Sequence, residues 1–271
     1  MSPKPNIDDF NQLINKIEAS GASEIQGIIE RWRQSVVYEI ANAGNLDALS
    51  SEVLLNKLKF INQSVERQLT GKLTENQRRL FIKGLQSVDK YLESGKLTLG
   101  VPYLSETKLD MLKNYSAELV TGIVAEAQKN IGIQVSMGVL GQKSYQDIVK
   151  EIGTNLSDPS VFGTIAKRAQ VIYQTEVKRI QNISTVDRIK QYGTQIPDLK
   201  KKWVHSHVGI PRPFHLMLHG TIVGVNEPFL LKGADGSIYE IQAPHDPMLP
   251  VGESINCRCI VIAVAMRFEK E

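Results

Sequence analysis

Apolar residues recur at spacings of three and four through residues 1–195. Such a period places its members on one face of an α-helix. The pattern and the residues that flank it predict helices over residues 8–21, 23–44, 47–69, 74–94, 105–130, 145–152 and 158–193. Gly21 is expected to separate the first two helices, and Thr74-Glu75-Asn76-Gln77 is expected to cap the fourth. Residues 131–140 fit a strand, a loop or a frayed helix.

The pattern changes after Pro197. Short apolar runs between Gly- and Pro-containing turns predict strands over residues 202–206, 221–225, 237–242 and 258–265. Residues 211–219 predict one or two helical turns, and Ala234-Asp235-Gly236 predicts a hairpin turn after residues 229–231. We therefore expect an α+β protein, with an extended N-terminal helical region and a small C-terminal α+β module that holds a short antiparallel sheet. The predicted domains are a helical arm over 1–143, a second helical part over 144–196 and the small module over 197–271.

The composition is that of an ordinary folded protein. Hydrophobic residues make up 42% and charged residues 23%, which excludes a mostly disordered chain. The net charge of +3 is too small to identify a nucleic-acid binder. No apolar run approaches the roughly 18 residues of a membrane span, and the N-terminus lacks the apolar core of a signal peptide. We expect a soluble intracellular protein.

Histidine and cysteine are confined to the C-terminal module. All five histidines lie between His205 and His245, and the two cysteines are Cys257 and Cys259. On a strand, Cys257 and Cys259 place both sulfurs on one face, and a disulfide across that pair would require distortion. His215 and His219 are four residues apart, a helical spacing that lets two imidazoles reach one ion. These four residues therefore fit a zinc site.

Two other interpretations use the same residues. The cysteines fit the role of small buried hydrophobic residues, with His215 bonded to a carbonyl group. They also have the residue types of a metal- or thiol-dependent hydrolase or nuclease, although no glycine elbow or oxyanion-loop motif accompanies them. No phosphate-binding glycine motif is present, so zinc is the one cofactor that the residues suggest. Asp246 and Glu253 are interpreted as solvated turn residues.

The chain resembles a known family in the order of its motifs over about residues 145–263. A helix with Thr175, Glu176 and Asn182 is followed by a Trp203 strand, Arg-x-x-His ahead of Gly220, and a Pro-x-Asp loop. The motif ends with Asn-Cys-Arg-Cys and the last strand. The matching residues are Arg168, Ala169, Ile172, Thr175, Glu176, Arg179, Asn182, Lys202, Trp203, Arg212, His215, Gly220, Phe229, Pro244, Asp246, Glu253, Asn256, Cys257, Arg258 and Cys259. This order is similar to the phage head morphogenesis family, the minor head proteins typified by protein F of phage Mu.

The resemblance implies a minor capsid protein of the virion, assembled in the host cytoplasm and present in few copies. It implies portal, capsid or scaffold proteins as partners, a role in DNA packaging or ejection, and no catalytic activity or membrane contact. His215, Cys257 and Cys259 are the shared trio, whereas the family usually has an acidic or other polar residue where this chain has His219. The basic helix over Lys167–Lys190 would face packaged DNA, or it is an ordinary solvated helix face.

Overall fold

The structure, a computed structural model, describes residues 7–43, 48–97, 103–153, 160–205 and 212–268. The helices are α1 (Ile7–Asn42), α2 (Ala48–Glu75), α3 (Gln77–Ser94), α4 (Glu106–Val139), α5 (Tyr145–Ile152), α6 (Val161–Gly193), α7 (Pro213–Met217) and α8 (Val251–Ser254). The strands are β1 (Leu199–Val204), β2 (Ile222–Gly224), β3 (Phe229–Lys232), β4 (Ile238–Ile241) and β5 (Ile260–Ala265). Helices followed by short strands confirm the predicted α+β class.

Continuous helices overturn the predicted break at Gly21 and decide between the alternatives left open for residues 131–140. Gly21 lies inside α1 and does not interrupt it. A Cβ atom at this position would lie 2.0 Å from Cζ of Tyr173. The glycine therefore makes room for a packed ring. Residues 131–139 belong to α4, where Ile131 and Val135 are both buried at helical spacing.

The helix ends differ in how well the sequence predicts them. Helix α5 has the predicted bounds, and Ser144 and Asp147 form a reciprocal capping box at its start. The box predicted at residues 74–77 is wrong, because Thr74 lies in α2 and its hydroxyl donates to the Thr70 carbonyl at 2.9 Å. Helix α3 begins after Asn76 without a side-chain cap. The predicted start of the last long helix at Asp158 lies outside the described residues.

Two compact units divide the chain. The first comprises residues 1–18, 76–112 and 174–271 and is called here the sheet unit; the second comprises residues 19–75 and 113–173 and is called the helical unit. The domain boundaries that the sequence suggests near residues 143 and 196 stay predictions. None of the described helices has the length and apolarity that crossing a membrane requires.

The helical unit is built around Trp32. Its indole N–H donates to Oδ1 of Asn62 at 2.8 Å, and its ring meets Phe162 edge-on at 5.0 Å between centroids. Both the apolar body and the polar edge of the indole are therefore satisfied in the core. Aliphatic residues from α1, α2 and α4 complete this core, among them Ile29, Val36, Leu54, Leu58, Leu69, Ile123 and Val124.

The sheet unit contains two antiparallel sheets. Strand β1 lies between β2 and β5, and β3 pairs with β4 as the predicted hairpin. Residues Leu199, Lys201 and Trp203 of β1 point to the buried face, with half-buried residues between them. The cysteines lie in an apolar cluster with Trp203, Phe229, Leu231, Ile241 and Val261. The sequence thus predicted the strands but shifted their ends, since β5 begins at Ile260, after both cysteines.

Candidate functional site

The candidate site forms where three segments of the sheet unit meet. Helix α7 carries His215, α8 carries Glu253, and residues 257–259 carry both cysteines directly before β5. Arg212 has an extended backbone and Pro213 occupies the first turn of α7. Proline suits that position because its fixed φ angle matches the helix and it has no N–H to leave unpaired.

The imidazole of His215 lies between the two thiols and a carboxylate. Its Nδ1 atom is 3.4 Å from Sγ of Cys257 and 3.9 Å from Sγ of Cys259, and its Nε2 atom is 2.9 Å from Oε2 of Glu253. His215 is 2% exposed, Cys257 6% and Cys259 1%. The imidazole nitrogen and the two sulfurs all lie within 4.8 Å of one another.

These contacts shift the protonation of the cluster. Burial disfavours a charged His215, but the hydrogen bond to Cys257 and the contact with Glu253 outweigh it and raise the pKa of His215. The hydrogen bond from Cys259 lowers the pKa of Cys257 and, together with burial, raises the pKa of Cys259. The two sulfurs therefore differ, and Cys257 is the one that ionises first.

A left-handed residue sets the entry into the cysteine segment. Asn256 has φ +56°, a conformation that asparagine adopts more readily than most residues. The N–H of Cys257 then donates to the Ser254 carbonyl at 3.2 Å, which closes the turn after α8. This turn lets Glu253 and Cys257, four residues apart, contact opposite nitrogens of one imidazole.

The side chain of Asn182 attaches α6 to the edge of the sheet. Its Oδ1 accepts the backbone N–H of Val261 at 2.8 Å, and its Nδ2 lies 3.4 Å from the Cys259 carbonyl. Among the described strands, β5 is the edge strand of its sheet. Its outer backbone groups have no neighbouring strand there, and the Asn182 amide pairs with two of them. Asn182 is completely buried.

A second buried link joins α6 to the cysteine segment through His245. Its Nε2 lies 3.0 Å from the Cys257 carbonyl, and its Nδ1 lies 3.2 Å from Nδ2 of Asn182. Arg179 donates to the His245 carbonyl at 2.6 Å and forms an ion pair with Glu176 at 2.9 Å. The buried polar residues of α6 therefore bond one another and the segment that carries the thiols.

Comparison with known proteins places this region in a family. Residues 129–262, which contain α5, all of α6 and the strand region as far as the first half of β5, match the family described as "Phage Mu protein F like protein". This segment belongs to the phage Mu F-like family. It is therefore a domain of a phage head morphogenesis family, as the order of the motifs predicted.

Two curated relatives match part of the chain at less than 30% identity. The "Uncharacterized protein YqbB" of Bacillus subtilis (strain 168) is 28% identical over 168 residues, which are 60% of this chain and 51% of that protein. The "NAD(+)--arginine ADP-ribosyltransferase EFV" of Enterococcus faecalis (strain ATCC 700802 / V583) is 29% identical over 143 residues, which are 51% of this chain and 26% of that protein. The chain thus spans about half of the first relative and a quarter of the second. No solved structure matches it significantly.

The motif residues of the Mu F-like domain make local contacts that hold its turns in place. Arg212 donates to the Gly252 and Ile255 carbonyls at 2.7 and 2.6 Å, which ties the start of α7 to both ends of α8. Gly220 adopts φ +82° and donates its N–H to the Trp203 carbonyl at 2.8 Å. Thr175 and Glu176 are buried in α6, and Trp203 is completely buried in β1. Arg258 forms an ion pair with Glu18 at 3.2 Å.

The structure does not bring His219 to the cluster. The predicted spacing of four residues is not realised on a helix, because α7 ends at Met217 and Gly220 turns the chain. The Nδ1 atom of His219 instead accepts the backbone N–H of His205 at 3.0 Å. Among the described residues, the group with metal-ligand geometry consists of His215, Cys257 and Cys259.

Two residues of the Mu F-like domain play larger parts than the sequence suggested. Glu253 is 7% exposed and bonds His215, so its interpretation as a solvated turn residue is wrong. The Asp246 carboxylate accepts the backbone N–H groups of Gln242 and Met248, each at 3.0 Å, and so shapes the loop around His245. Spacing to the cysteines carries no signal for His245, because its ring contacts the Cys257 carbonyl and the Asn182 amide and neither sulfur.

The basic helix is not a continuous solvated face. Lys178, Arg179 and Arg188 are buried at 5%, 4% and 4% exposure. Lys178 lies 3.6 Å from Glu18, and Arg188 lies 3.0 Å from Asp89. These three side chains therefore form ion pairs inside the protein. The interpretation of the helix as an open basic surface is wrong for Lys178, Arg179 and Arg188.

Proposed function

We propose that this protein is a minor component of a phage head that associates with the portal and the procapsid during assembly. The observation that carries this proposal is the Mu F-like match over residues 129–262, the region that forms the buried cluster and its anchors. Capsid or scaffold proteins are further partners in this proposal, and assistance to DNA packaging or ejection is the role it assigns to the assembled protein.

The geometry of the cluster supports attachment and not turnover. Each of His215, Cys257, Cys259 and Glu253 is at most 7% exposed. Catalysis by a thiol and an imidazole needs a path for the substrate to the sulfur, whereas a structural centre needs dense packing. The same side chains fasten α7, α8 and the cysteine segment to one another, and this supports a rigid docking module.

We do not assign the activity of the Enterococcus protein to this chain. The similarity extends over 143 residues, close to the extent of the Mu F-like match, and covers 26% of that protein. We assign the shared part to the head domain and not to the transferase named for that relative. DNA contact through Lys167–Lys190 is also left out of the proposal, because half of those basic side chains are buried.

Fractionation of phage particles tests the head assignment. An epitope-tagged copy is produced during phage growth, and procapsids, mature heads and free protein are separated on a density gradient and blotted. We expect the tag in procapsids and mature heads, and we expect a portal deletion to remove it from procapsids. Recovery of the protein only in the free fraction would contradict the proposal.

An enzyme assay tests the non-catalytic part separately. The purified chain is incubated with labelled NAD⁺ and an arginine-containing acceptor, with an authentic ADP-ribosyltransferase as the positive control. We expect no transfer above that of a heat-denatured sample. Transfer that depends on the folded chain would overturn this part of the proposal.

A further inference from the structure

We propose that His215, Cys257 and Cys259 bind one Zn²⁺ ion as a structural centre, with Glu253 positioning the imidazole. The protein ligands are Nδ1 of His215 and the two thiolates, and one enclosed water molecule would be the fourth ligand of a tetrahedral ion. This inference does not rest on the phage-head function, because it concerns the metal content and stability of the isolated chain.

The distances fit a shared metal ion. Zinc–nitrogen bonds of about 2.0 Å and zinc–sulfur bonds of about 2.3 Å at tetrahedral angles separate nitrogen from sulfur by roughly 3.6 Å. The observed Nδ1–Sγ separations of 3.4 and 3.9 Å lie on either side of that value. All three ligand atoms lie within 4.8 Å of one another, so closing around an ion requires only small movements.

Glu253 fixes the tautomer that a metal needs. Its Oε2 atom is 2.9 Å from Nε2 of His215, and a carboxylate in that position accepts a proton from Nε2. The proton on Nε2 leaves the lone pair of Nδ1 directed toward the sulfurs. A carboxylate behind a ligating histidine is the common outer contact in zinc sites. The other oxygen, Oε1, accepts the Ala234 N–H at 2.9 Å, which holds the carboxylate in place.

The surroundings of the Cys257 sulfur favour a thiolate. The N–H of Cys259 lies 3.4 Å from Sγ of Cys257, and an N–H donor stabilises negative charge on sulfur. The buried N–H of Trp203 lowers the pKa of the Cys259 thiol, but the hydrogen bond with Cys257 and burial outweigh it and raise that pKa. Coordination to a metal ion deprotonates a thiol outright, so Cys259 becomes a thiolate when zinc binds.

The charge balance permits the site in an apolar core. Zinc binding releases the two thiol protons to solvent, and one Zn²⁺ with two thiolates and a neutral imidazole has no net charge. The remaining charge on Glu253 lies 3.8 Å from Nε of Arg212. Two sulfur ligands and one nitrogen ligand suit zinc better than magnesium or calcium, which bind oxygen.

Metal analysis of the purified full chain tests the proposal. The protein is prepared with a non-chelating reductant and without a metal-affinity step, stripped, reloaded with ZnCl₂, desalted and measured by mass spectrometry of the elements. We expect about one zinc per chain for the wild type and for His219→Gln, which changes an exposed histidine outside the cluster. Cys259→Ser should lose most of the bound zinc, and Glu253→Gln should bind zinc roughly 10- to 100-fold more weakly in competition with a chromophoric chelator.

Two measurements on the wild-type protein do not depend on whether a variant folds. Cobalt substitution should give a sulfur-to-cobalt charge-transfer band of two-thiolate intensity, and zinc reloading should raise the unfolding midpoint by at least about 5 °C. Less than about a tenth of an equivalent of zinc, or stoichiometric copper in its place, would overturn the zinc centre. Loss of zinc in His219→Gln would overturn the ligand set, and unchanged affinity in Glu253→Gln would overturn its positioning role.

Discussion

Replacing Asn182 with alanine tests the attachment of α6 to the edge of the sheet. The truncation leaves the Val261 N–H without its acceptor at 2.8 Å and removes the amide donor from the Cys259 carbonyl and from His245. Each buried group left without a partner costs about 1–3 kcal/mol. Because the weaker contacts relax more easily, we expect a total loss of about 3–6 kcal/mol in the free energy of unfolding.

Trp203 fluorescence provides the assay, because this indole is completely buried in β1 beside Val261. Guanidinium unfolding is followed in a Trp32→Phe background, so that the signal reports the sheet unit alone. Asn226→Ala, at an exposed position of the sheet unit, is the matched control and should change stability by less than about 0.5 kcal/mol. If Asn182→Ala lost no more free energy of unfolding than the control, the amide would not hold the edge of β5.

Three further substitutions test the packing of two glycines and the burial of one lysine. Gly84→Ala should destabilise the protein by about 1–3 kcal/mol in thermal unfolding, since its Cβ would lie 1.8 Å from Oγ of Ser184. Gly122→Ala, where nothing lies within 4 Å, should instead stabilise it by up to about 1 kcal/mol, and equal effects of the two changes would contradict the packing. Burial, followed by the charge of Lys190, lowers the pKa of Lys201 from 10.5 to about 8. Between pH 8 and pH 10.5 the unfolded chain therefore binds more protons at this residue than the folded protein does. The free energy of unfolding of the wild type should rise by up to about 3 kcal/mol over this pH range, relative to Lys201→Met. Parallel curves would show that this ammonium group is not buried in solution.

The local elements were predictable because their causes are local. Helical periodicity identified the long helices, and the predicted bounds of α5 are those that the structure shows. The predicted helix break at Gly21 is wrong. Glycine occupies this position because the Tyr173 ring packs against it, and its low helix propensity does not end the helix. A single sequence shows the cost of a glycine in a helix but not the neighbour that requires it.

The sequence by itself determined the class of the protein, its family and three members of the cluster, because residue types, spacing and motif order are written along the chain. The tertiary structure alone decided which groups complete that cluster. It removed His219, whose helix ends too early, and it added Glu253. It also turned Lys178 and Arg188 from expected surface charges into buried partners of acids. The reason is that burial and pairing depend on residues far apart in the chain, which no local pattern brings together.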